Sequence, residues 1–286
     1  MTAWHRPGGA PPRDTAGAPG ATWRAVDLLD RDMVRDALAA LRPTHVYHCA
    51  GAAHVGRSWD NVEPTFAINV RGTHHVVEGL RDAGLNARVL IPSSAMVYGG
   101  CDEPLTEEHP LAPASPYALS KLAQEMIGGG NQGGPDVDVL IARAFNHLGP
   151  RQDAWFVGSG FARRIADIEG GRWDAEITVG NLNTRRDLTD VRDTVRAYRL
   201  INERGTPGRV YNVCSGRAVT IRDLLDRFLV RARVPIRVTV DPARLRPNDT
   251  PLVVGDPRRL HDELGWKAEI PLDQTVDDLL EYWRSR

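Results

Sequence analysis

Short apolar runs alternate along this chain with longer stretches in which apolar residues recur every three or four positions. The short runs are typical of buried strands and the longer stretches of amphipathic helices. A helix is predicted after Asp30, which is a natural N-cap, with the apolar stripe Met33, Val34, Ala37, Leu38 and Leu41. Strands alternating with helices of this length predict right-handed βαβ units and a parallel sheet.

The same pattern places the other elements. Strands are predicted at 45–49, 88–91, 137–142 and 210–213, and loops at 7–21 and 128–134. Helices are predicted at 61–83, at 117–127 and from Asp190 to near Gly205, and three more open at Thr220, Asp256 and Pro271.

Small and polar residues cluster where the predicted strands end, at 49–53, 93–94, 145–147 and 214–216. Ligands of open α/β sheets bind at the carboxyl ends of the strands. We therefore expect these four segments to line one crevice.

Candidate chemistry lies next to this edge. Tyr117 and Lys121 are four residues apart behind Ser115 and Pro116, which are favourable at the N-cap and the first position of a helix. Residues at this spacing share a helix face, so the phenol and the ammonium can face one cleft. A nearby cation is expected to lower the pKa of the tyrosine from about 10. The alternative is an amphipathic helix with a buried tyrosine and a solvated lysine.

Composition excludes several classes of function. The 286 residues suffice for one large α/β domain with an appended lobe, and a net charge of −1 gives no general attraction to nucleic acid or membranes. No run resembles a signal peptide or a membrane span. The three cysteines are widely spaced and the histidines lack ligand spacing, so we expect reduced thiols, no metal site and a cytoplasmic protein.

Longer motifs add a resemblance that runs from about residue 2 to residue 284. They are segments 52–56, 69–73, 94–99, 115–121, 143–150, 179–182, 186–191, 211–216 and 245–247. The chain resembles the extended short-chain dehydrogenase/reductase family (NAD-dependent epimerase/dehydratase), in its branch of GDP-mannose dehydratases and GDP-6-deoxy-4-keto-mannose reductases. This resemblance implies an α/β, Rossmann-like doubly wound parallel sheet with a smaller C-terminal α/β lobe.

The resemblance also implies roles for matching residues. Ser94 would hydrogen-bond the reacting sugar oxygen, Tyr117 would transfer its proton, and Lys121 would hold the nicotinamide ribose. The implied cofactor-binding residues are Arg6, Asp27, Leu28, Cys49, Ala50, Gly51, Asn69, Ser93, Tyr117, Lys121 and Phe145. The implied substrate-binding residues are His54, Ser94, Asn146, Arg186 and Arg246. A solvated arginine or a structural histidine is the alternative for the charged members of this set.

The implied division places a dinucleotide-binding domain at 1–148 plus 188–216 and a nucleotide-sugar lobe at 149–187 plus 217–286. Arg6 stands where the family reads the adenosine ribose, which favours NADP over NAD because arginine can pair with a 2′-phosphate. Family members commonly form homodimers through the helix that carries the tyrosine and lysine and the helix before it, and we expect the same here.

Two departures from the family affect function. Met96 stands where dehydratases carry a glutamate base, which disfavours dehydration, whereas reduction or epimerisation at C4 needs no such base. The family's first strand and its G-x-x-G-x-x-G turn are not found, as if the chain began within the second strand at Thr2–Arg6. Without that strand, two sheet edges are expected to lack a pairing partner, and a groove is expected to open in the core.

The sequence therefore predicts a nucleotide-sugar 4-ketoreductase. One alternative is a 4-epimerase with the same three catalytic residues. The other is a truncated, non-catalytic protein that binds sugar nucleotides.

Overall fold

The computed structural model describes residues 1–9, 20–129, 137–245 and 250–286. Its strands are β1 (Thr2–His5), β2 (Thr22–Ala25), β3 (His45–Tyr47), β4 (Ala87–Ser94), β5 (Val137–Ala144), β6 (Asn146–Leu148), β7 (Glu176–Val179), β8 (Arg185–Asp190), β9 (Val210–Val213), β10 (Ala218–Thr220), β11 (Arg237–Val240) and β12 (Leu252–Val253). Its helices are α1 (Arg31–Leu41), α2 (Val62–Phe66), α3 (Gly72–Asp82), α4 (Pro116–Gly129), α5 (Val157–Glu169), α6 (Val191–Arg204), α7 (Ile221–Val230), α8 (Arg258–Leu264) and α9 (Leu272–Arg284).

Several helices begin at the caps that the sequence predicts. Asp30 accepts a hydrogen bond from the Met33 backbone N–H at the start of α1. Thr220 and Asp223 form a reciprocal capping box at the start of α7. Each such cap satisfies backbone N–H groups that have no partner within the helix, which stabilises it by roughly 1 kcal/mol.

The chain folds into two compact units, both discontinuous in sequence. Unit 1 contains residues 1–97, 112–142 and 201–210, and unit 2 contains 98–111, 143–200 and 211–286. The predicted assignment of one domain to the cofactor and another to the sugar nucleotide concerns ligands, so it stays a prediction.

The parallel sheet is in two pieces among the described residues. Strands β3, β4, β5 and β9 lie side by side in that order, while β1 and β2 form a separate parallel pair. Strand β3 pairs with β4 in parallel, from His45 opposite Arg88 to Tyr47 opposite Leu90. The predicted parallel α/β architecture is confirmed.

Unit 1 has a core of its own between this sheet and its helices. Val34 and Leu38 of α1 pack with Leu80 of α3 and with Val89 and Ile91 of β4, and all five are buried. The aliphatic run at 88–91 is thus explained by its position in the middle of the sheet.

Unit 2 contains its own core and two groups of paired strands. Its core joins Ile165 of α5, Leu225 of α7 and Leu279 of α9. Strand β8 lies between β10 and β12 and also pairs with β6, and β11 pairs with β7. Among the described residues, no helix is long and apolar enough to cross a membrane.

The predicted helix at 61–83 differs from the structure in one respect. A π-helical turn at Ala67–Arg71 separates α2 from α3, and the two helices are otherwise continuous with it. Such turns carry an extra residue and occur often at functional sites. Asn69 lies in this turn and is fully buried.

Candidate active site

Ser94 and Tyr117 come together within unit 1. The strand β4 continues to Ser94, and the Ser115 hydroxyl accepts a hydrogen bond from Ala118 N–H at the start of α4. The Tyr117 backbone N–H is held by the Ser58 hydroxyl at 3.1 Å. In this arrangement the Ser94 hydroxyl interacts with Tyr117 and opposes the rise in its pKa, so the two side chains lie close to each other.

Lys121 lies one turn further along α4 and is also buried. Its Nζ lies 5.9 Å from the centroid of the Tyr117 ring and donates a 2.9 Å hydrogen bond to the Pro92 carbonyl. Burial lowers the pKa of Lys121 to about 8, although the nearby Cys49 and Glu125 oppose this shift. The ammonium form therefore predominates at neutral pH.

The expected effect of Lys121 on the tyrosine is wrong for this structure. Burial raises the pKa of Tyr117 above its usual value of 10, and only the hydrogen bond with Ser94 opposes this shift. Exclusion of solvent disfavours the phenolate, and the ammonium is hydrogen-bonded to Pro92. Tyr117 therefore keeps its proton at neutral pH and is suited to donate it.

Asn69 ties the loop after β3 to α4. Its side chain accepts a hydrogen bond from Ala52 N–H at 2.7 Å and donates to the Ala52 carbonyl and to Ser120 Oγ. A Cβ at Gly51 would lie 2.7 Å from Asn69 Oδ1 and 3.8 Å from Lys121 Nζ. Only glycine lets this backbone approach the site so closely.

A buried polar network behind the site was not predicted from the sequence. His48, at the end of β3, hydrogen-bonds Thr73 Oγ1 at 2.9 Å, and Gln124 Nε2 donates to the same oxygen at 2.6 Å. Burial is the main cause that lowers the pKa of His48 to about 4, so its ring is neutral. The sequence did contain a signal for this network, because Gln124 follows Lys121 by three residues and therefore shares its helix face.

Ser93 and Glu125 form a second supporting pair. The Ser93 hydroxyl donates a short hydrogen bond to the Glu125 carboxylate, and both side chains are buried. The charge of Glu125 favours the protonated form of Lys121. Ser93 thus helps to hold the acid that stabilises the ammonium.

A cavity of about 1300 Å³ in unit 1 brings together most of the predicted cofactor residues. Residues of β1, β3 and the loop after β3 line it. Its lining includes the predicted residues Arg6, Asp27, Leu28, Cys49, Ala50, Gly51 and His54. Their grouping in one cavity was expected from the family resemblance.

The remaining predicted contacts belong to unit 2. Phe145 is buried and its backbone N–H bonds the Val213 carbonyl, whereas Asn146 is exposed. The Arg186 guanidinium donates to the carbonyls of Arg185 and Thr250. Arg246 lies outside the described residues.

A second cavity, of about 630 Å³, lies in unit 2 and was missed from the sequence. Trp155 and Trp173 contribute aromatic surface to it, and Arg163, Arg164 and Asp167 of α5 contribute charge. The Arg164 guanidinium lies 3.9 Å from the centroid of the Trp173 ring. The available signal was the adjacent pair Arg163 and Arg164, which lies between Trp155 and Trp173 in the sequence.

One group of potential metal ligands occurs in the described part of unit 2. Ligand atoms of Cys101, Glu103 and His109 lie within 4.8 Å of one another. However, His109 Nδ1 accepts a hydrogen bond from Thr106 N–H at 2.9 Å, so the ring proton belongs on Nε2. Neither ring nitrogen then offers a lone pair to a metal ion.

Comparison with known proteins identifies the family. The sequence model of the GDP-mannose 4,6 dehydratase family matches residues 13–279. The chain belongs to this family.

Two curated proteins are similar to the chain over most of its length. GDP-6-deoxy-D-mannose reductase from Pseudomonas aeruginosa is 38% identical over 91% of this chain and 86% of its own length. GDP-mannose 4,6-dehydratase from Vibrio cholerae is 27% identical over 89% of this chain and 76% of its own length. The predicted family resemblance is confirmed.

Solved structures agree with the family assignment. RMD from Pseudomonas aeruginosa, solved in complex with NADPH, has a TM-score of 0.86 at 35% identity and covers 94% of this chain and 92% of its own. UDP-glucose 4-epimerase from Thermus thermophilus, in complex with NAD, has a TM-score of 0.81 at 28% identity. The match covers 93% of this chain and 86% of the epimerase chain. The predicted Rossmann-like fold is confirmed.

Within this family, the segment after Ser94 bears on the type of reaction. Met96 follows Ser94 by two positions, and its backbone N–H donates to Ser94 Oγ at 3.2 Å. A thioether cannot remove a proton from carbon. The segment therefore holds the Ser94 hydroxyl, and Met96 supplies no base.

Proposed function

We propose that this protein is an NAD(P)-dependent nucleotide-sugar 4-ketoreductase, acting at C4 of an NDP-bound, most suitably GDP-bound, 4-keto-6-deoxyhexose. The observation that carries the proposal is the proximity of the Ser94 and Tyr117 side chains, with buried Lys121 on the same helix as Tyr117. The 38% identity to a GDP-6-deoxy-D-mannose reductase supports the substrate class.

Each catalytic side chain has a separate task in this reaction. The nicotinamide supplies the hydride when bound. Tyr117, protonated because it is buried, gives its proton to O4 as negative charge develops there. The Ser94 hydroxyl donates a hydrogen bond to the same oxygen. The positive charge of Lys121 stabilises the developing alkoxide. The Lys121 ammonium would also donate hydrogen bonds to the hydroxyls of the nicotinamide ribose.

NADP is the cofactor that the cavity in unit 1 suits best, with NAD as the alternative. Arg6 is exposed on the cavity wall, where a guanidinium can pair with a 2′-phosphate. Asp27 and Leu28 lie on the same wall, and Gly51 permits close approach near Lys121. The structure of RMD with NADPH supports this choice.

We assign the sugar nucleotide to residues of both predicted domains. His54, Asn146, Arg186 and Arg246 are the proposed contacts, and the division at 1–148 plus 188–216 against 149–187 plus 217–286 is the proposed division of labour. The cavity in unit 2 adds a candidate site for the base and diphosphate, because tryptophan stacks on bases and arginine binds phosphate.

The proposal is tested by supplying purified protein with NADPH and GDP-4-keto-6-deoxymannose and following the loss of NADPH absorbance. We expect oxidation of NADPH and a 6-deoxyhexose product reduced at C4. Absence of oxidation with this and other 4-keto sugar nucleotides, in protein that binds NADPH, would contradict it.

A 4-epimerase is the second candidate, favoured by the likeness to the UDP-glucose 4-epimerase structure. Such an enzyme returns the hydride to the sugar, so it would copurify with NAD and turn over without added cofactor. Binding of a sugar nucleotide without any turnover would instead support the third alternative, a non-catalytic binding protein.

A homodimer through α4 is the proposed assembly. Leu119 and Met126 are seven residues apart on this helix and are 49% and 68% exposed. Exposed apolar residues at this spacing form one stripe. Light scattering should show a dimer that Met126→Lys weakens. We further place the protein in the cytoplasm because its cysteines are free thiols, and without nucleic-acid or membrane partners because its net charge is only −1.

A further inference from the structure

Strand β8 carries a buried carboxylate that the proposed mechanism does not use. Asp187 lies within β8 and is fully buried. Its Oδ1 accepts hydrogen bonds from the Ser215 backbone N–H and the Ser215 hydroxyl, both at 2.7 Å. Its Oδ2 accepts hydrogen bonds from the backbone N–H groups of Gly216 at 2.9 Å and Gly255 at 3.3 Å. Four neutral donors therefore converge on one side chain.

These donors define the charge state that the position accommodates. Each oxygen of Asp187 faces two donors, so the ionised carboxylate fits, whereas a proton on either oxygen would have to face one of them. Burial raises the pKa of Asp187 above its usual value, and the same four hydrogen bonds oppose this shift. A buried charge destabilises the fold unless its hydrogen bonds are made, so the four bonds constrain the segments that supply them.

The donors belong to two segments that each follow a strand. Ser215 and Gly216 lie just after β9, and Gly255 lies just after β12. Gly255 is also tightly packed, because a Cβ there would lie 2.6 Å from Phe145 Cζ and 2.5 Å from Cys214 Sγ. Only glycine lets the backbone approach these side chains so closely. The buried carboxylate thus fastens the ends of β9 and β12 to β8.

Arg186, the residue before Asp187, depends on the other end of β12. Its guanidinium donates a 2.8 Å hydrogen bond to the carbonyl of Thr250, which lies two residues before β12. Strand β12 pairs with β8 in parallel, with Val253 opposite Arg186. Because neighbouring side chains of a strand point to opposite faces, the carboxylate and the guanidinium have separate partners. Asp187 therefore holds one end of the strand whose other end orients Arg186.

We propose that Asp187 is a positioning residue for the binding of a nucleoside diphosphate, because it fixes β12 beside β8 and so holds Arg186 in the orientation that pairs with the diphosphate. This inference rests on the proposed function, which assigns Arg186 to the sugar nucleotide. A guanidinium binds phosphate oxygens through parallel hydrogen bonds from a planar group, so its orientation affects the affinity.

The test measures the binding of GDP to the intact protein by titration calorimetry, without NADPH or sugar, and UDP is the alternative nucleotide. Asp187→Asn keeps the size of the side chain but replaces one acceptor oxygen by an NH₂ group that faces donors. We expect the dissociation constant for GDP to rise about tenfold, because Arg186 is no longer held in place. In the enzyme assay, KM for the keto-sugar nucleotide should rise similarly while kcat changes by less than about twofold.

Asp190→Asn is the matched control for a general loss of stability. Asp190 lies on the same strand and is also buried, but its carboxylate bonds Arg192 and Thr275. This variant should lower the melting temperature and change the dissociation constant for GDP by less than about twofold. If it weakens GDP binding as much as Asp187→Asn does, the effect reflects stability alone and the inference is wrong.

A double-mutant cycle tests whether Asp187 acts through Arg186. In the Arg186→Ala background, Asp187→Asn should weaken GDP binding by less than about a further twofold, because effects that share one group are not additive. Additive effects of the two substitutions would overturn the inference.

Ser215→Ala gives the same cycle in a milder form if Asp187→Asn does not fold. It removes one donor and leaves the charge, so GDP binding should weaken about threefold in the unmodified background and not in the Arg186→Ala background. Equal loss in the two backgrounds would contradict the inference.

The results also separate this inference from the proposed function. If the unmodified protein binds neither GDP nor UDP, both are wrong. If the unmodified protein and the Asp187→Asn variant bind GDP equally well, only the role of Asp187 is wrong.

Discussion

At the scale of single residues, Tyr117 and Lys121 are each 8% exposed, and exclusion of water acts on them in opposite directions. It raises the pKa of the phenol and lowers that of the ammonium, so both groups remain protonated near neutral pH. A protonated phenol beside a cation is the arrangement that a ketone reduction requires. Because its charge is buried, Lys121 also lowers the free energy of unfolding.

Replacing Tyr117 by phenylalanine tests its role as proton donor. We expect kcat/KM for NADPH oxidation to fall by about 10²–10⁴-fold, the usual contribution of a general acid. Tyr282→Phe is the matched control, since Tyr282 lies on α9 beside Arg286. Equal activity of the Tyr117→Phe variant would exclude the proposed proton transfer.

Lys121→Met tests the cost of the buried charge. Because the folded pKa of about 8 lies below the free value of 10.5, the unfolded chain holds more protons between these pH values, and stability rises with pH there. The variant lacks this dependence. We expect it to be about 1–3 kcal/mol more stable than the unmodified protein at pH 7, with the difference shrinking towards pH 10.

Urea unfolding at both pH values measures this difference. Lys267→Met is the control, because Lys267 is exposed and its loss should change stability by less than about 0.5 kcal/mol. If Lys121→Met is less stable than the unmodified protein at pH 7, the hydrogen bond of Lys121 to the Pro92 carbonyl stabilises the fold by more than the burial of the charge destabilises it.

At the scale of elements, the site depends on how the loop after β3 is fixed to α4. Asn69 makes this connection from the π turn through three hydrogen bonds. The proposed catalytic residues thus lie on β4 and α4, whereas the loop proposed to face the cofactor depends on one buried amide, that of Asn69.

Asn69→Ala should lower the free energy of unfolding by about 2–4 kcal/mol, because Ala52 N–H and its carbonyl lose their partner in a buried position. Asn61→Ala is the matched control on the same helical segment, since Asn61 donates only to the exposed Arg57 carbonyl. Denaturant unfolding compares the two. If both variants lower the free energy of unfolding by the same amount, water replaces the hydrogen bonds of the Asn69 amide and the prediction is wrong.

The order of elements from α1 to β5 could be predicted because local signals marked it, whereas α5, β7, β8 and β11 were not predicted. Asp30, Ser115 and Thr220 cap helices where the sequence indicated, and the apolar runs form the strands. The π turn could not be predicted, since its extra residue is stabilised by contacts of Asn69 with distant chain segments. The pKa of Tyr117 also depends on tertiary burial, which spacing along a helix does not reveal.

At the scale of the whole molecule, membership of a dehydratase family does not by itself define the reaction. The loop after β4 carries Met96 where a base would be needed. We therefore expect the protein to form no 4-keto sugar from GDP-mannose in the presence of NADP. Chromatography of the sugar nucleotides measures this, with the Vibrio cholerae dehydratase as positive control. Formation of the keto sugar would contradict the assigned reaction class.

The π turn at Ala67–Arg71 has a consequence for insertions and deletions. Removing one residue there would let the segment regularise as a continuous α-helix, so the backbone could still fold. Helices α2 and α3 would keep nearly the same register because the turn absorbs the extra residue, but the turn that places the Asn69 amide would be lost. Single-residue deletion scanning should thus find a place where secondary structure survives and dinucleotide affinity does not.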